Sequence, residues 1–151
     1  KLKNKFLPFL YPNQYVEFTS KTKAVKEAKK LAKGSKDDLA IVKAVYDYVV
    51  KNVKYDDEKA QNVQSGYLPS VDETLKTKKG ICFDYAALMT AMLRSQGIPT
   101  KLEIGYSGDI YHAWISTWLN EKGWVDNIIQ FDGKSWELIR HWQRIMITRK
   151  M

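Results

Sequence analysis

Residues 80–88 read Gly80-Ile81-Cys82-Phe83-Asp84-Tyr85-Ala86-Ala87-Leu88 and contain the only cysteine of the 151-residue chain. The cysteine follows a glycine and begins a run with apolar residues at helical spacing, which ends at Gly97. A cysteine at the start of a helix is well placed to be reactive, because backbone N–H groups and the helix dipole favour the thiolate. Most lone cysteines are nevertheless small core residues. Cys82 is therefore a candidate nucleophile only if a histidine partner exists elsewhere.

The composition fits one folded domain that needs no disulfide. Hydrophobic residues make up 44% of the chain and aromatic residues 13%, which excludes a disordered protein. No apolar run approaches the roughly 20 residues that a membrane helix needs. Since the chain begins with Lys1 rather than methionine, we expect that a signal peptide or anchor could have been removed.

The net charge of +8 does not by itself indicate a nucleic-acid partner. The basic residues concentrate in residues 21–36, where lysines around a helix are usually solvated, and in residues 139–151. The latter segment has four basic residues and no acidic one, which leaves 21 basic against 17 acidic residues elsewhere. We therefore expect no nucleic-acid binding.

Apolar periodicity and capping residues predict two helices behind an extended arm formed by residues 1–18. The first helix is capped by Thr19 or Ser20 and ends at Gly34. The second begins at Ser35, with an acidic first turn, and runs to about residue 52.

Residues 53–70 lack periodicity and are predicted to form a functional loop. A short helix capped by Asp72 then leads to Gly80. After the Cys82 helix, period-2 alternation predicts strands over 100–106, 111–119 and 124–131, and a fourth from residue 134. Helices followed by an antiparallel meander indicate an α+β fold, with the helices packed on a sheet of three or four strands.

His112 is the histidine best placed to pair with Cys82. It lies early on the second predicted strand, whereas His141 belongs to the atypical tail of residues 139–151. A lone histidine on a strand is more often packed or exposed than catalytic. Its position after a cysteine that opens a helix favours a pair in which the imidazole activates the thiol and later protonates a leaving amine.

Three blocks together carry a family resemblance. They are residues 80–86 (Gly-Ile-Cys-Phe-Asp-Tyr-Ala), residues 93–100 (Leu-Arg-Ser-Gln-Gly-Ile-Pro-Thr) and residues 112–114 (His-Ala-Trp). Over about residues 40–138 the chain resembles the transglutaminase-like superfamily of papain-like thiol enzymes, and we assign residues 19–138 to such a domain. The resemblance implies Cys82 as nucleophile, His112 as general base and acid, acyl transfer through a thioester, and neither metal nor other cofactor.

The resemblance also implies an aspartate, four residues after a tryptophan, that orients the histidine. Asp126 follows Trp124 by only two residues and stays a candidate with the wrong offset. Four residues after Trp136 stands Arg140, a cation that would repel an imidazolium.

The tail, residues 139–151, suggests why the aspartate is missing. One choice of codons encodes these residues. When one nucleotide is added in front of it, the shifted frame encodes a peptide that begins Asp-Pro-Thr, which is the pattern that the family has at this position. We hypothesise that the tail is frameshifted, which would impair catalysis. A naturally divergent tail is the alternative.

The oxyanion that forms during acyl transfer needs hydrogen-bond donors. The backbone N–H of Cys82 is one expected donor. Tyr67, in the preceding irregular stretch, is the candidate for the second, although an aromatic residue there is as often a packing residue.

Two other functions remain open: a cysteine peptidase acting on protein or cell-wall peptides, and an inactive protein-binding domain. We expect a protein or peptide substrate and a bacterial extracytoplasmic or cell-envelope location. A sheet truncated after residue 138 would expose an edge, which predicts a homodimer or a swapped oligomer.

Overall fold

The computed structural model describes residues 7–13, 16–64, 66–107, 110–120, 122–131 and 136–138. After a 3₁₀ turn at Leu7–Phe9, the helices are α1 (Lys23–Lys33), α2 (Asp38–Asn52), α3 (Asp57–Asn62), α4 (Val71–Thr77) and α5 (Cys82–Ser95). The strands are β1 (Lys54–Tyr55), β2 (Lys79–Gly80), β3 (Thr100–Ser107), β4 (Ile110–Leu119), β5 (Gly123–Phe131) and β6 (Trp136–Leu138). The predicted α+β class is confirmed.

The main sheet is antiparallel and has four strands in the order β3-β4-β5-β6. Leu102 and Ile104 of β3 face Ile115 and Ala113 of β4, and the two β4 side chains are fully buried in the core shared with α5. Because side chains alternate along a strand, His112 lies on the opposite face from Ala113. His112 is partly exposed there.

Helix α5 forms the centre of the domain. Every residue from Asp84 to Arg94 is buried, and α1, α2, β3 and β4 all pack against this helix. A helix surrounded on all sides must be apolar around most of its circumference, as the alanine-, leucine- and methionine-rich sequence of α5 is.

A second, two-stranded sheet brings the start of α5 against an earlier part of the chain. β1 and β2 pair in parallel, with Tyr55 opposite Gly80. A Cβ atom on Gly80 would lie 2.6 Å from the Cβ atom of Asp84. The glycine before the cysteine is therefore required by a close approach within the turn that begins α5.

Helix starts differ from the predicted ones by up to three residues. The reason is local: in α2 and α4 the side chain that accepts an N–H of the first turn lies two residues from the predicted cap. The observed N-caps are Thr22 in place of Thr19 or Ser20, Asp37 in place of Ser35, and Ser70 in place of Asp72.

The prediction of an irregular loop over residues 53–70 is wrong in part, because this segment contains β1 and α3. α3 has no buried residue, so it carries no apolar periodicity by which it could be recognised. The tail of residues 139–151 and the first six residues of the predicted arm lie outside the described residues. Over the described ranges, no helix is long and apolar enough to cross a membrane.

Candidate active site

Cys82 is the first residue of α5, and its side chain is completely buried. Burial raises the pKa of the thiol to about 12. The backbone N–H of Phe83 opposes this increase in pKa, whereas the carboxylate of Asp84 contributes to it. The sulfur is therefore protonated at neutral pH in this conformation.

Asp84 closes the first turn of α5 with a fully buried carboxylate. Its Oδ2 accepts the backbone N–H of Ile81 at 2.9 Å and the ammonium of Lys59 at 2.8 Å. Its Oδ1 accepts the hydroxyl of Tyr67 at 2.5 Å, and Lys59 also donates to the Tyr67 oxygen. The motif aspartate is thus an N-terminal cap held by two side chains from residues 57–67.

The Tyr55 hydroxyl lies beside Cys82. The pKa of Tyr55 is raised to about 12, mainly by burial and also by the neighbouring Cys82 sulfur, while the backbone N–H of Cys82 acts in the opposite direction. This hydroxyl stays protonated at neutral pH and can donate a hydrogen bond next to the candidate nucleophile.

Aromatic rings surround this point. Tyr55 stacks on Phe131 with ring centroids 5.1 Å apart, and Tyr85 stacks on Trp136 at 5.4 Å. Phe131 and Trp136 are 5.3 Å apart. The Tyr85 hydroxyl donates to the carbonyl of Val53 at 2.6 Å. Strands β5 and β6 are thereby packed against the start of α5.

His112 is held by a backbone group. Its Nδ1 lies 3.1 Å from the carbonyl oxygen of Phe131, and since a carbonyl only accepts, this contact requires a proton on Nδ1. Nε2 is then the basic nitrogen of the neutral ring. The imidazole also stacks on Trp114, with centroids 5.4 Å apart and planes 8° apart.

Phe131 links the two candidate catalytic residues. Its ring packs on Tyr55, which lies beside Cys82, and its carbonyl contacts His112. Within the part of the chain that the structure describes, no hydrogen bond joins the thiol and the imidazole. The structure therefore brings Cys82 and His112 to one aromatic cluster without direct pairing.

Two other predicted site residues lie elsewhere. Asp126 is exposed, and it follows Val125, which pairs with Thr117, five residues along β4 from His112. At about 3.4 Å per residue this is roughly 17 Å from the ring. The Tyr67 hydroxyl donates its hydrogen bond to Asp84, so it is not free to donate to an oxyanion in this conformation.

The residues that sequence reasoning missed are Tyr55, Lys59 and Phe131. Each reaches the site through a contact over many residues of chain, which local periodicity does not reveal. One signal was available: a carboxylate in the buried first turn of a helix needs a cation, and Lys59 lies in the preceding segment. Among the described residues no group of three or more acidic, histidine or cysteine side chains could hold a metal ion.

A family model described as Transglutaminase-like superfamily matches residues 26–127. The chain belongs to the transglutaminase-like superfamily. This match spans Cys82, His112 and the cluster around Asp84, and it confirms the family expected from the three sequence blocks.

Two curated proteins illustrate the relationship. The UPF0252 protein MJ1282 of Methanocaldococcus jannaschii is 37% identical over 75 residues, which cover 46% of this chain and 21% of that protein. The protein-glutamine gamma-glutamyltransferase of Pseudomonas aeruginosa is 34% identical over 70 residues, covering 36% of this chain and 10% of that protein. The chain thus matches only a small part of each relative.

Solved structures show the same fold. A candidate cysteine protease from Cytophaga hutchinsonii superposes with a TM-score of 0.63 at 24% identity, covering 82% of this chain and 41% of that one. The periplasmic domain of TgpA from Pseudomonas aeruginosa, bound to ethylmercury, gives a TM-score of 0.58 at 24% identity, covering 74% of this chain and 44% of that one. At this identity the similarity establishes the fold.

Proposed function

We propose that the protein is a thiol enzyme that performs acyl transfer or hydrolysis on amide groups of peptides or proteins, with Cys82 as nucleophile and His112 as base. The observation that carries this proposal is the position of Phe131, which contacts both His112 and the Tyr55 ring beside Cys82. The contacts of this one strand residue with the candidate base and with the tyrosine beside Cys82 support pairing of the two candidate catalytic residues.

The chemistry would proceed in two steps. His112 Nε2 takes the proton of the Cys82 thiol while the sulfur attacks the amide carbon, and the resulting imidazolium protonates the leaving amine. The backbone N–H of Cys82 and the Tyr55 hydroxyl are suited to stabilise the oxyanion. Water or a second amine then attacks the thioester, which gives an acid or a new amide and returns the thiol.

Attack requires a conformational change. The sulfur is buried and has no hydrogen bond to the imidazole in the described state, whereas the reaction needs contact of about 3 Å. Opening of the aromatic cluster would expose the sulfur and allow the ring to reach it.

The group that contacts Nδ1 of His112, in the place of a triad acid, supports only a weak catalyst. A carbonyl of Phe131 occupies Nδ1 of His112, which orients the ring but supplies no negative charge for the imidazolium. Loss of the orienting acid costs about four orders of magnitude in another triad. We retain the hypothesis that Arg140 results from a frameshift. Sequencing the expressed gene tests it, and a gene whose shifted frame lacks Asp-Pro-Thr would disprove it.

Activity assays distinguish the proposed functions. We expect ammonia release from a glutamine peptide, with or without an amine acceptor, to be abolished in Cys82→Ala and reduced about 100-fold or more in His112→Ala. Asp126→Asn should change the rate less than twofold, since this residue lies far from the ring. Cleavage of the peptide backbone instead would indicate a peptidase.

The second candidate is an inactive protein-binding domain, which the complete burial of Cys82 favours. A chain that neither turns over these substrates nor reacts with thiol reagents while folded would support it. Equal rates in the wild type and His112→Ala would contradict the enzymatic proposal.

Location and assembly are further proposals. The similarity to a periplasmic domain supports a bacterial extracytoplasmic location for this chain, which fractionation of cells expressing the full gene would test. The homodimer or swapped oligomer predicted for a sheet truncated after residue 138 is tested by light scattering at high concentration, and a monomer would disprove it.

A further inference from the structure

Lys59 makes an ion pair that is unusual for its position. α3 has no buried residue, yet the Lys59 ammonium reaches a carboxylate that is fully buried under the start of α5. The Lys59 side chain is 34% exposed and that of Asp84 is 0% exposed. Because a charge is costly to bury unless it is paired, the ammonium of Lys59 compensates the buried charge of Asp84, together with the hydrogen bonds from Ile81 and Tyr67.

The same carboxylate lies two residues after Cys82, and its charge acts on the sulfur. Another titratable residue, Tyr55 of β1, lies near the sulfur, and the charge of Asp57 raises the pKa of Tyr55. His112 approaches from β4 through Phe131. Tyr67 shares the carboxylate but carries no charge. Among the described residues, Lys59 is the cation that forms an ion pair with Asp84.

We propose that Lys59 is a positioning residue for Cys82: paired with the buried carboxylate of Asp84 in the first turn of α5, it neutralises the acidic charge beside the sulfur. The inference rests on the proposed role of Cys82 as nucleophile. It adds a function for residues 57–67, which hold the cation and the tyrosine that bind the motif aspartate.

An electrostatic role and a purely structural role of Lys59 predict different changes in the rate at which Cys82 is alkylated. If Lys59 only braces the helix, removing either partner loosens α5 and exposes the sulfur, so alkylation accelerates in both variants. If its charge matters, Lys59→Met leaves a bare carboxylate that disfavours the thiolate, and Asp84→Asn leaves a bare ammonium that favours it.

The test is the rate of alkylation of Cys82 by iodoacetamide between pH 6 and 10 in the folded full chain, read by mass spectrometry. The single cysteine makes the modified site unambiguous. At a fixed pH we expect about tenfold slower reaction in Lys59→Met and about tenfold faster reaction in Asp84→Asn. A tenfold change in the thiolate fraction corresponds to a change of about one unit in the pKa of the thiol. Lys59→Arg keeps the positive charge and should therefore keep the wild-type dependence of the alkylation rate on pH. Tyr67→Phe changes no charge, and its rates should stay within about twofold of those of the wild type.

Faster alkylation in both Lys59→Met and Asp84→Asn, or unchanged rates in both, would overturn the proposal. If Lys59→Met does not fold, Asp84→Asn is compared with the double variant Lys59→Met/Asp84→Asn, which isolates the charge of Lys59; equal rates there would also overturn it. These rates do not depend on turnover. An inactive wild type with opposite rate changes would reject the proposed function and keep the role of Lys59, and an active wild type with unchanged rates would do the reverse.

Discussion

The two halves of the candidate site are built in different ways. On the nucleophile half, Cys82 begins a buried helix whose first turn is fixed by three hydrogen bonds to one buried carboxylate. On the base half, His112 lies partly exposed on a strand and is held by a backbone carbonyl and a stacked ring. Substitutions on the nucleophile half should therefore affect folding, and those on the base half should affect chemistry.

The largest effect is expected from Gly80→Ala. The new Cβ atom would lie 2.6 Å from the Cβ atom of Asp84, so the turn must shift, and we expect a loss of about 3 kcal/mol in the free energy of unfolding. Gly34→Ala is the matched control, because a Cβ atom there meets nothing within 4 Å. Urea unfolding measures both, and equal stabilities would show that the close approach is unimportant.

Tyr85→Phe should have the next largest effect. It removes the 2.6 Å hydrogen bond to Val53 and leaves a buried carbonyl without its partner, which we expect to cost about 1–2 kcal/mol of unfolding free energy. Tyr48→Phe is the control, since its hydroxyl makes no hydrogen bond to the described residues. Thermal unfolding compares them, and a Tyr85→Phe protein as stable as Tyr48→Phe would count against a structural role for this hydroxyl.

The buried thiol should make stability fall at alkaline pH. The pKa of Cys82 is about 12 in the folded chain against a usual value of 9.0, so only the unfolded chain releases this proton as the pH passes 9. The contribution is complete below pH 9 and is lost between pH 9 and 12, by about 1 kcal/mol on going from pH 8 to pH 10. Cys82→Ala should show a correspondingly shallower decline in urea unfolding at these two pH values. Identical declines would mean that the thiol is not buried in solution.

The smallest effect on stability should come from His112→Ala. Because the ring is partly exposed and held by a single hydrogen bond, we expect the free energy of unfolding to change by about 0.5 kcal/mol. The acyl-transfer rate should still fall as proposed above. A loss as large as that of Gly80→Ala would erase the distinction between the two halves.

The order of elements and the place of Cys82 were predictable, because they depend on local patterns: apolar periodicity for α5, alternation for β3 to β5, and glycines at the ends. α3 and β1 were not, since the first buries no side chain and the second pairs with β2 across more than twenty residues. The site shows the same division. The cysteine and histidine are visible in the sequence, but the carbonyl of Phe131 and the ammonium of Lys59 come into place only through tertiary packing.

The burial of Cys82 has a consequence for chemical durability. Oxidants attack thiolates that solvent can reach, and this sulfur is both protonated and covered in the described conformation. In the resting protein the thiol of Cys82 should therefore resist oxidation to sulfenic acid and the formation of mixed disulfides. If the aromatic cluster opens as proposed above, peroxide should damage the site only while the cluster is open.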